Sequence, residues 1–301
     1  MAKVLITGGS GSIGRKLIEK LKTNGHEVSV IGRSSHDGLG VPSFTWDLEK
    51  GTMNETALRN VAHIIHLAGA GIADRPWSPN RKKEILESRV KPLQLLSAVL
   101  ERRNQRIKAI ISSSAIGYYG AVTTDRIFKE EDPAANDFLG ITCKMWEDAV
   151  KLFGPVADRE VRVRTGVVLM NEGGALPKLV RPVRFGFGAA VGSGNQWMPW
   201  IHIDDLTELY LRAVEDEVLQ GPYNAVAPEQ VTQSVFIKTA GKVLKRPILL
   251  PTIPAFLLKS VIGEMSQVVT EGSRVSSQRL MDTGFQFKHL QLNQALNDLL
   301  K

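Results

Sequence analysis

The stretch Val4-Leu5-Ile6-Thr7-Gly8-Gly9-Ser10-Gly11-Ser12-Ile13-Gly14-Arg15-Lys16-Leu17-Ile18 decides how this chain folds. An apolar run of strand character ends at Thr7, and glycines follow at positions 8, 11 and 14. Ile13, Leu17, Ile18 and Leu21 then fall on one face of a helix. A strand that turns through glycine directly into a helix is the junction that holds a dinucleotide's pyrophosphate. Gly8 permits the tight turn, Gly11 lets backbone amides approach the phosphates, and Gly14 lets helix and strand pack closely. Unpaired N–H groups and the positive end of the helix dipole face the anion. Gly8, Ser10, Gly11, Ser12 and Ile13 are the candidate phosphate contacts, with the helix opening at Ser12; the bland alternative is a simple turn.

Outward from this junction, short apolar runs alternate with helical stretches. Strands are predicted over residues 3–7, 27–31, 43–46, 63–67, 107–113 and 161–168, and longer helices over about 79–102 and 137–153. The first helix stops near Asn24-Gly25. Such alternation builds a parallel sheet with right-handed crossovers. The fold class is α/β, a doubly wound, Rossmann-type parallel sheet with a small C-terminal helical lobe. Beyond Leu169, residues 170–200 are rich in glycine and proline and read as loops around a cleft. A helix is predicted over 204–215, with Asp204 as its N-cap, and a strand over 222–225. The expected division is a dinucleotide domain of residues 1–169 with returning segments at about 200–226. Residues 170–199 and 227–301 then form a smaller substrate-side lobe.

The cofactor's type is read about 20 residues beyond the loop, where an acid bonds a ribose 2′-hydroxyl and an arginine accommodates a 2′-phosphate. Here the second strand runs into Gly32-Arg33-Ser34-Ser35, with no carboxylate before Asp37. Arg33 offers a planar fork of donors to a phosphate, so NADP is expected; the alternative is a surface arginine. Asp47 and Leu48, after the third strand, are placed to reach the adenine. His66-Leu67-Ala68-Gly69 ends the fourth, where Leu67, Ala68 and Gly69 let the backbone lie close to the cofactor, and His66 reads as a packed strand-end residue.

Composition narrows the rest. The chain has 301 residues, 43% hydrophobic and 23% charged, as an ordinary globular protein does. No apolar run of about 18 residues is present, so no membrane span is expected, and Met1-Ala2-Lys3 leads into a strand without a signal-peptide pattern. One cysteine, Cys143, excludes an internal disulfide and any cysteine-based metal cluster. A cytoplasmic protein, monomer or homodimer, with no metal, is the expectation. The net charge of +7 is dispersed, its densest runs at Arg81-Lys82-Lys83 and Arg102-Arg103 being interleaved with Glu84, Glu87 and Glu101, so no nucleic-acid partner is expected.

With these residues in place, the chain resembles the extended short-chain dehydrogenase/reductases, the NAD-dependent epimerase/dehydratase superfamily, through Thr7-Gly8-x-x-Gly11-x-x-Gly14. Leu67-Ala68-Gly69, Arg164-Thr165-Gly166-Val167-Val168-Leu169, Gly173-Gly174-Ala175-Leu176 and Trp200-Ile201-His202-Ile203-Asp204-Asp205 resemble its atypical "epimerase family" subgroup. The resemblance implies that Glu84, Arg89 and Val168 also touch the cofactor. It further implies a catalytic Ser/Thr with a Tyr-x-x-x-Lys pair, in which lysine lowers the tyrosine's pKa.

The serine is available in Ser112-Ser113-Ser114, but the pair is missing. Counting back from Glu147 puts Leu139 where tyrosine belongs and Cys143 where lysine belongs. Lys144 lies about 100° around the helix. Tyr119 follows the serine strand and is either a proton donor with an ordinary pKa near about 10 or a packing residue. Two readings follow. One is an NADP-dependent oxidoreductase or epimerase acting on a small molecule, with Ser113 or Ser114 polarising the substrate oxygen. The other is a non-catalytic NADP(H)-binding sensor or docking protein.

Overall fold

A computed structural model describes residues 1–301. The first half runs β1 (Lys3–Thr7), α1 (Ser12–Thr23), β2 (Glu27–Gly32), β3 (Ser43–Asp47), β4 (Thr52–Met53), β5 (His63–His66) and α2 (Pro79–Arg102). It continues through β6 (Ile107–Ala115), β7 (Ile127–Phe128), α3 (Phe138–Lys151), β8 (Ala157–Thr165) and β9 (Val167–Leu169). Then come α4 (Leu176–Arg184), β10 (Trp200–His202), α5 (Ile203–Glu215), β11 (Gly221–Ala225) and α6 (Gln233–Val243). The chain closes with α7 (Ala255–Ile262), α8 (Gln267–Thr270), β12 (Arg274–Val275), α9 (Gln278–Asp282) and α10 (Leu292–Leu300).

The main sheet is ordered β11-β8-β6-β5-β1-β2-β3-β4, parallel throughout except for the terminal β3–β4 pair. Its direction of winding reverses between β1 and β5. Strands buried on both faces read as continuous apolar runs, which is why β1, β5 and β6 stood out in the sequence. Alternate residues feed two cores. Val4, Ile6, Val30 and Ile111 meet α1 and α5, while Leu5, Ile64 and Ile110 meet α2 and α3. A third core, with Trp200, Phe236 and Leu296 inside, joins α4, α6 and α10.

Local chemistry fixes the helix ends. In α1, Leu17, Ile18 and Leu21 are buried, each worth about 2 kcal/mol of apolar transfer, and the helix stops where Gly25 takes φ +80°. Ser78 caps α2 by accepting from the Arg81 amide at 3.2 Å, and Asp137 caps α3 by accepting from Gly140 at 2.8 Å.

Three expectations are corrected. The stretch 170–200, read as loops, contains helix α4, because Leu176, Val180 and Val183 form a buried face. The strand foreseen over 161–168 breaks at Gly166. There the Pro199 carbonyl passes so close that an added Cβ would lie 2.7 Å from its oxygen. β9 consequently leaves the main sheet and pairs with β10. The cap of α5 is His202, whose Nδ1 accepts from the Asp204 amide at 3.1 Å, rather than Asp204. No helix is long and apolar enough to cross a membrane.

Candidate cofactor site

The C-terminal ends of the strands open on a cleft of about 1070 Å³, at the reversal between β1 and β5. Crevices of this kind are where ligands bind open α/β sheets. Gly8, Gly9, Ser10 and Gly11 form its floor. Gly8 has φ +72°, and a Cβ there would lie 2.8 Å from the Ala68 nitrogen; one at Gly14 would lie 2.6 Å from the Gly8 oxygen. Only glycine allows loop, strand end and helix to meet so closely. α1 has Gly11 at its N-cap and receives no side-chain cap, so its first amides are left for an anion. Ser12 is roofed by Gly173, whose added Cβ would come within 2.2 Å of Ser12 Oγ. Ile13 turns its side chain toward the core, leaving its backbone for the site.

The strand ends are locked together by one neutral imidazole. Thr7 Oγ1 accepts from the Ala68 amide at 3.1 Å and donates to His66 Nδ1 at 2.7 Å. His66 Nε2 donates to the Arg89 carbonyl at 3.1 Å. Burial, the first cause, pushes His66 down to about 3, so the ring stays neutral. Leu67, Ala68 and Gly69 are thereby held against the glycine loop, and all three line the cleft.

Across the cleft stand Gly32, Arg33 and Ser34 at the end of β2, with Asp47 and Leu48 beyond β3. Arg33 is exposed and unpaired, while the nearby acid Asp37 bonds Ser35 at 2.9 Å. Asp47 accepts from the amides of Glu49 and Lys50, both at 3.0 Å; the Lys50 bond leads in holding its carboxyl below the usual range. From α2, Glu84 lines the wall. Its carboxyl is held low first by Arg81, which reaches it at 2.7 Å. Arg89 folds under Gly69, its Cζ 3.1 Å from where a Cβ would stand, and its Nη1 donates to Ile85 O at 2.7 Å. Val168 lies half-buried on β9, against the same core as α1. Sequence reasoning missed Ser88 and Lys91, one turn apart on α2, which line the cleft with Glu87; their i+4 and i+7 spacing from Glu84 was the only signal.

The centre where chemistry would occur departs from expectation. Ser114 is buried on α3's side of the sheet and donates to Glu147 Oε1 at 2.8 Å. Ser113 faces α5, sharing hydrogen bonding with Tyr210, whose hydroxyl burial pushes up to about 12. Tyr119, expected at the cleft with an ordinary pKa, is instead 2% exposed. It donates to Asn224 Oδ1 at 2.7 Å and accepts from Arg164 Nη1 at 2.9 Å. Burial, the first cause, raises its pKa above the ordinary value. Arg164 itself forks onto Glu147 at 2.8 and 3.0 Å, with the Tyr118 ring 3.5 Å from its Cζ. Leu139 and Cys143 pack against the turn at Gly117, 3.4 and 3.7 Å from its added Cβ. Burial raises the Cys143 thiol to about 12, and the Arg89 charge is the main influence against that rise. Lys144 points out to Asp148 at 2.7 Å.

A doubly wound sheet with an open glycine-rich helix mouth at its switch point defines a Rossmann-type dinucleotide-binding protein. Residues 4–138 match the NAD-dependent epimerase/dehydratase family, and residues 253–299 match a domain of unknown function, DUF1731. The chain is 33% identical to the epimerase family protein YfhF of Bacillus subtilis, over 99% of this chain and 97% of that one. It is also 33% identical to the human epimerase family protein SDR39U1, over 99% of each. The chain belongs to this epimerase family. A crystal structure of human SDR39U1 (isoform 2) with NADPH superposes with a TM-score of 0.90 at 34% identity, covering 99% of this chain and 98% of that one. A Thermus thermophilus UDP-glucose 4-epimerase complex with NAD, at 20% identity and TM-score 0.76, shares the fold.

Proposed function

We propose that this protein binds NADP(H) and acts as an oxidoreductase or epimerase-type enzyme on a small molecule still to be identified. The observation that carries the reading is the Arg33 fork on the cleft wall, exposed and in no salt bridge, with Glu84 acting on it only at a distance; its human relative was crystallised with NADPH. Residues 1–169 with 200–226 hold the cofactor, and 170–199 with 227–301 face the substrate. The amides of residues 11–13 take the pyrophosphate, Arg33 the 2′-phosphate, Asp47 and Leu48 the adenine end. Glu84, Arg89 and Val168 also touch the cofactor. Bound nicotinamide supplies a hydride acceptor or donor at a carbonyl or carbinol carbon. Ser114, already donating to Glu147, accepts a hydrogen bond from a carbinol. A lone free thiol and a nicotinamide cofactor both suit the cytoplasm.

Arg33→Asp tests the cofactor assignment by fluorescence titration. Removing a charge-assisted fork weakens NADPH by about tenfold or more and spares NADH. Equal loss of both in a folded protein refutes it. Leu139 and Cys143, which cannot perform the Tyr–Lys chemistry, favour a second reading as a non-catalytic NADP(H) sensor. It predicts a cofactor-dependent change in light scattering and no NADPH oxidation across a panel of carbonyl compounds.

A further inference from the structure

The chain's positive charge has one source. Residues 173–203 contain Lys178, Arg181 and Arg184 and no acid; residues 230–263 contain Lys238, Lys242, Lys245, Arg246 and Lys259 and again no acid. These eight exposed cations exceed the whole net charge of +7, so the remainder of the chain is slightly negative. None of the eight pairs with a carboxylate, although cations elsewhere commonly do.

The same two segments carry most of the large apolar side chains that protrude furthest, Val218 and the terminal Met1 being the others. Phe185 and Phe187 flank the turn at Gly186 after α4; Leu249 stands on the loop before α7; Phe256 and Val261 stand on α7, which buries no residue. These five are between 66% and 81% exposed. They share one edge of the molecule. The Ile253 amide donates to Ala190 O at 2.8 Å, the Gly192 amide donates to Ile253 O at 2.8 Å, and a Cβ on Gly188 would meet Ile248 at 2.6 Å.

We propose that this face docks the protein on an anionic lipid bilayer. Apolar tips rimmed by unpaired cations are what an anionic interface binds, the tips entering the acyl boundary and the cations meeting headgroups. A second copy is disfavoured because eight cations would meet eight. A helix-binding or strand-binding partner takes a groove or a free edge, whereas these tips protrude. The association is peripheral, since no helix can span.

Flotation with vesicles of phosphatidylcholine containing about a third phosphatidylglycerol tests it. The protein floats with these vesicles at low salt, stays behind with pure phosphatidylcholine, and is released by high salt. Phe185→Ser with Phe256→Ser, and separately Arg184→Glu with Lys259→Glu, keep the thermal midpoint, because all four side chains are exposed. Each pair lowers partitioning, the charge reversals by at least about tenfold. Failure to float at low salt overturns the proposal, as does undiminished flotation of both variants. Self-association in light scattering, or heparin retention, without vesicle binding assigns the face to a second copy or a soluble polyanion and overturns it equally.

Discussion

Protonating one imidazole undoes the lock between β1, β5 and α2. His66 is held near 3 in the fold, and His63, also buried, near 4, against an ordinary value of 6.5 for each. Between those values and 6.5 the unfolded chain takes up protons that the folded chain excludes. The stability is therefore complete above about pH 6.5 and falls as the solution is acidified, by about 2 kcal/mol for each histidine at pH 5. A urea-denaturation series from pH 7 to pH 5 shows this as a falling midpoint. His66→Gln removes about half of the slope while lowering stability at pH 7 through loss of the Thr7 bond. A midpoint constant over that range disproves the assignment.

Among elements, the loop that begins after β9 matters most to the cofactor. Gly173 has φ +78° and sits on Ser12 Oγ, so Gly173→Ala lifts the loop from the mouth of α1. NADPH affinity drops by roughly tenfold and the thermal midpoint moves little, because an exposed loop absorbs the strain; unchanged affinity in calorimetry would show that the loop is no roof. Ser12 and the Gly173-Gly174 motif were each noticed, but nothing in either segment showed that they meet. By contrast α1, α2 and β1 were legible nearly to the residue, because periodic apolar faces and the Asn24-Gly25 stop signal agree locally. β8 and β9 merged into one predicted strand, for Gly166 looked like a tolerated glycine until the Pro199 carbonyl was placed against it. Asp204 looked like a cap, but the imidazole two residues earlier reaches its amide first.

At the scale of the whole molecule, the C-terminal segment is strapped to the nucleotide-binding sheet by Asp205. This buried carboxylate accepts from the amides of Lys288 at 2.7 Å and His289 at 3.1 Å. Asp205→Ala strands two amide donors and costs about 3 kcal/mol. Limited proteolysis then cuts first near residues 284–290, and unchanged protection would sink the idea. The cleft's floor and its Arg33 wall were legible in spacing alone, since each role belongs to a local sequence at a fixed distance from the loop. The Glu147–Arg164–Tyr119 cluster was not: three separated elements build it, and in sequence its members read as a helix charge, a motif arginine and a loose tyrosine. The charge asymmetry escaped for another reason. Runs of cations draw the eye, whereas the informative feature was a long absence of acids.

Cys143 gives the molecule a built-in clock. It is the single thiol in the chain, it is sealed against the Gly117 turn, and its proton is held to about 12. A disulfide reagent such as Ellman's can reach it only when α3 and that turn part company. The labelling half-time at neutral pH then records how often this side of the cleft breathes, free of any background from other sulfhydryls. Saturating coenzyme should stretch that interval severalfold, and a half-time indifferent to coenzyme would mean that breathing here is uncoupled from occupancy of the cleft.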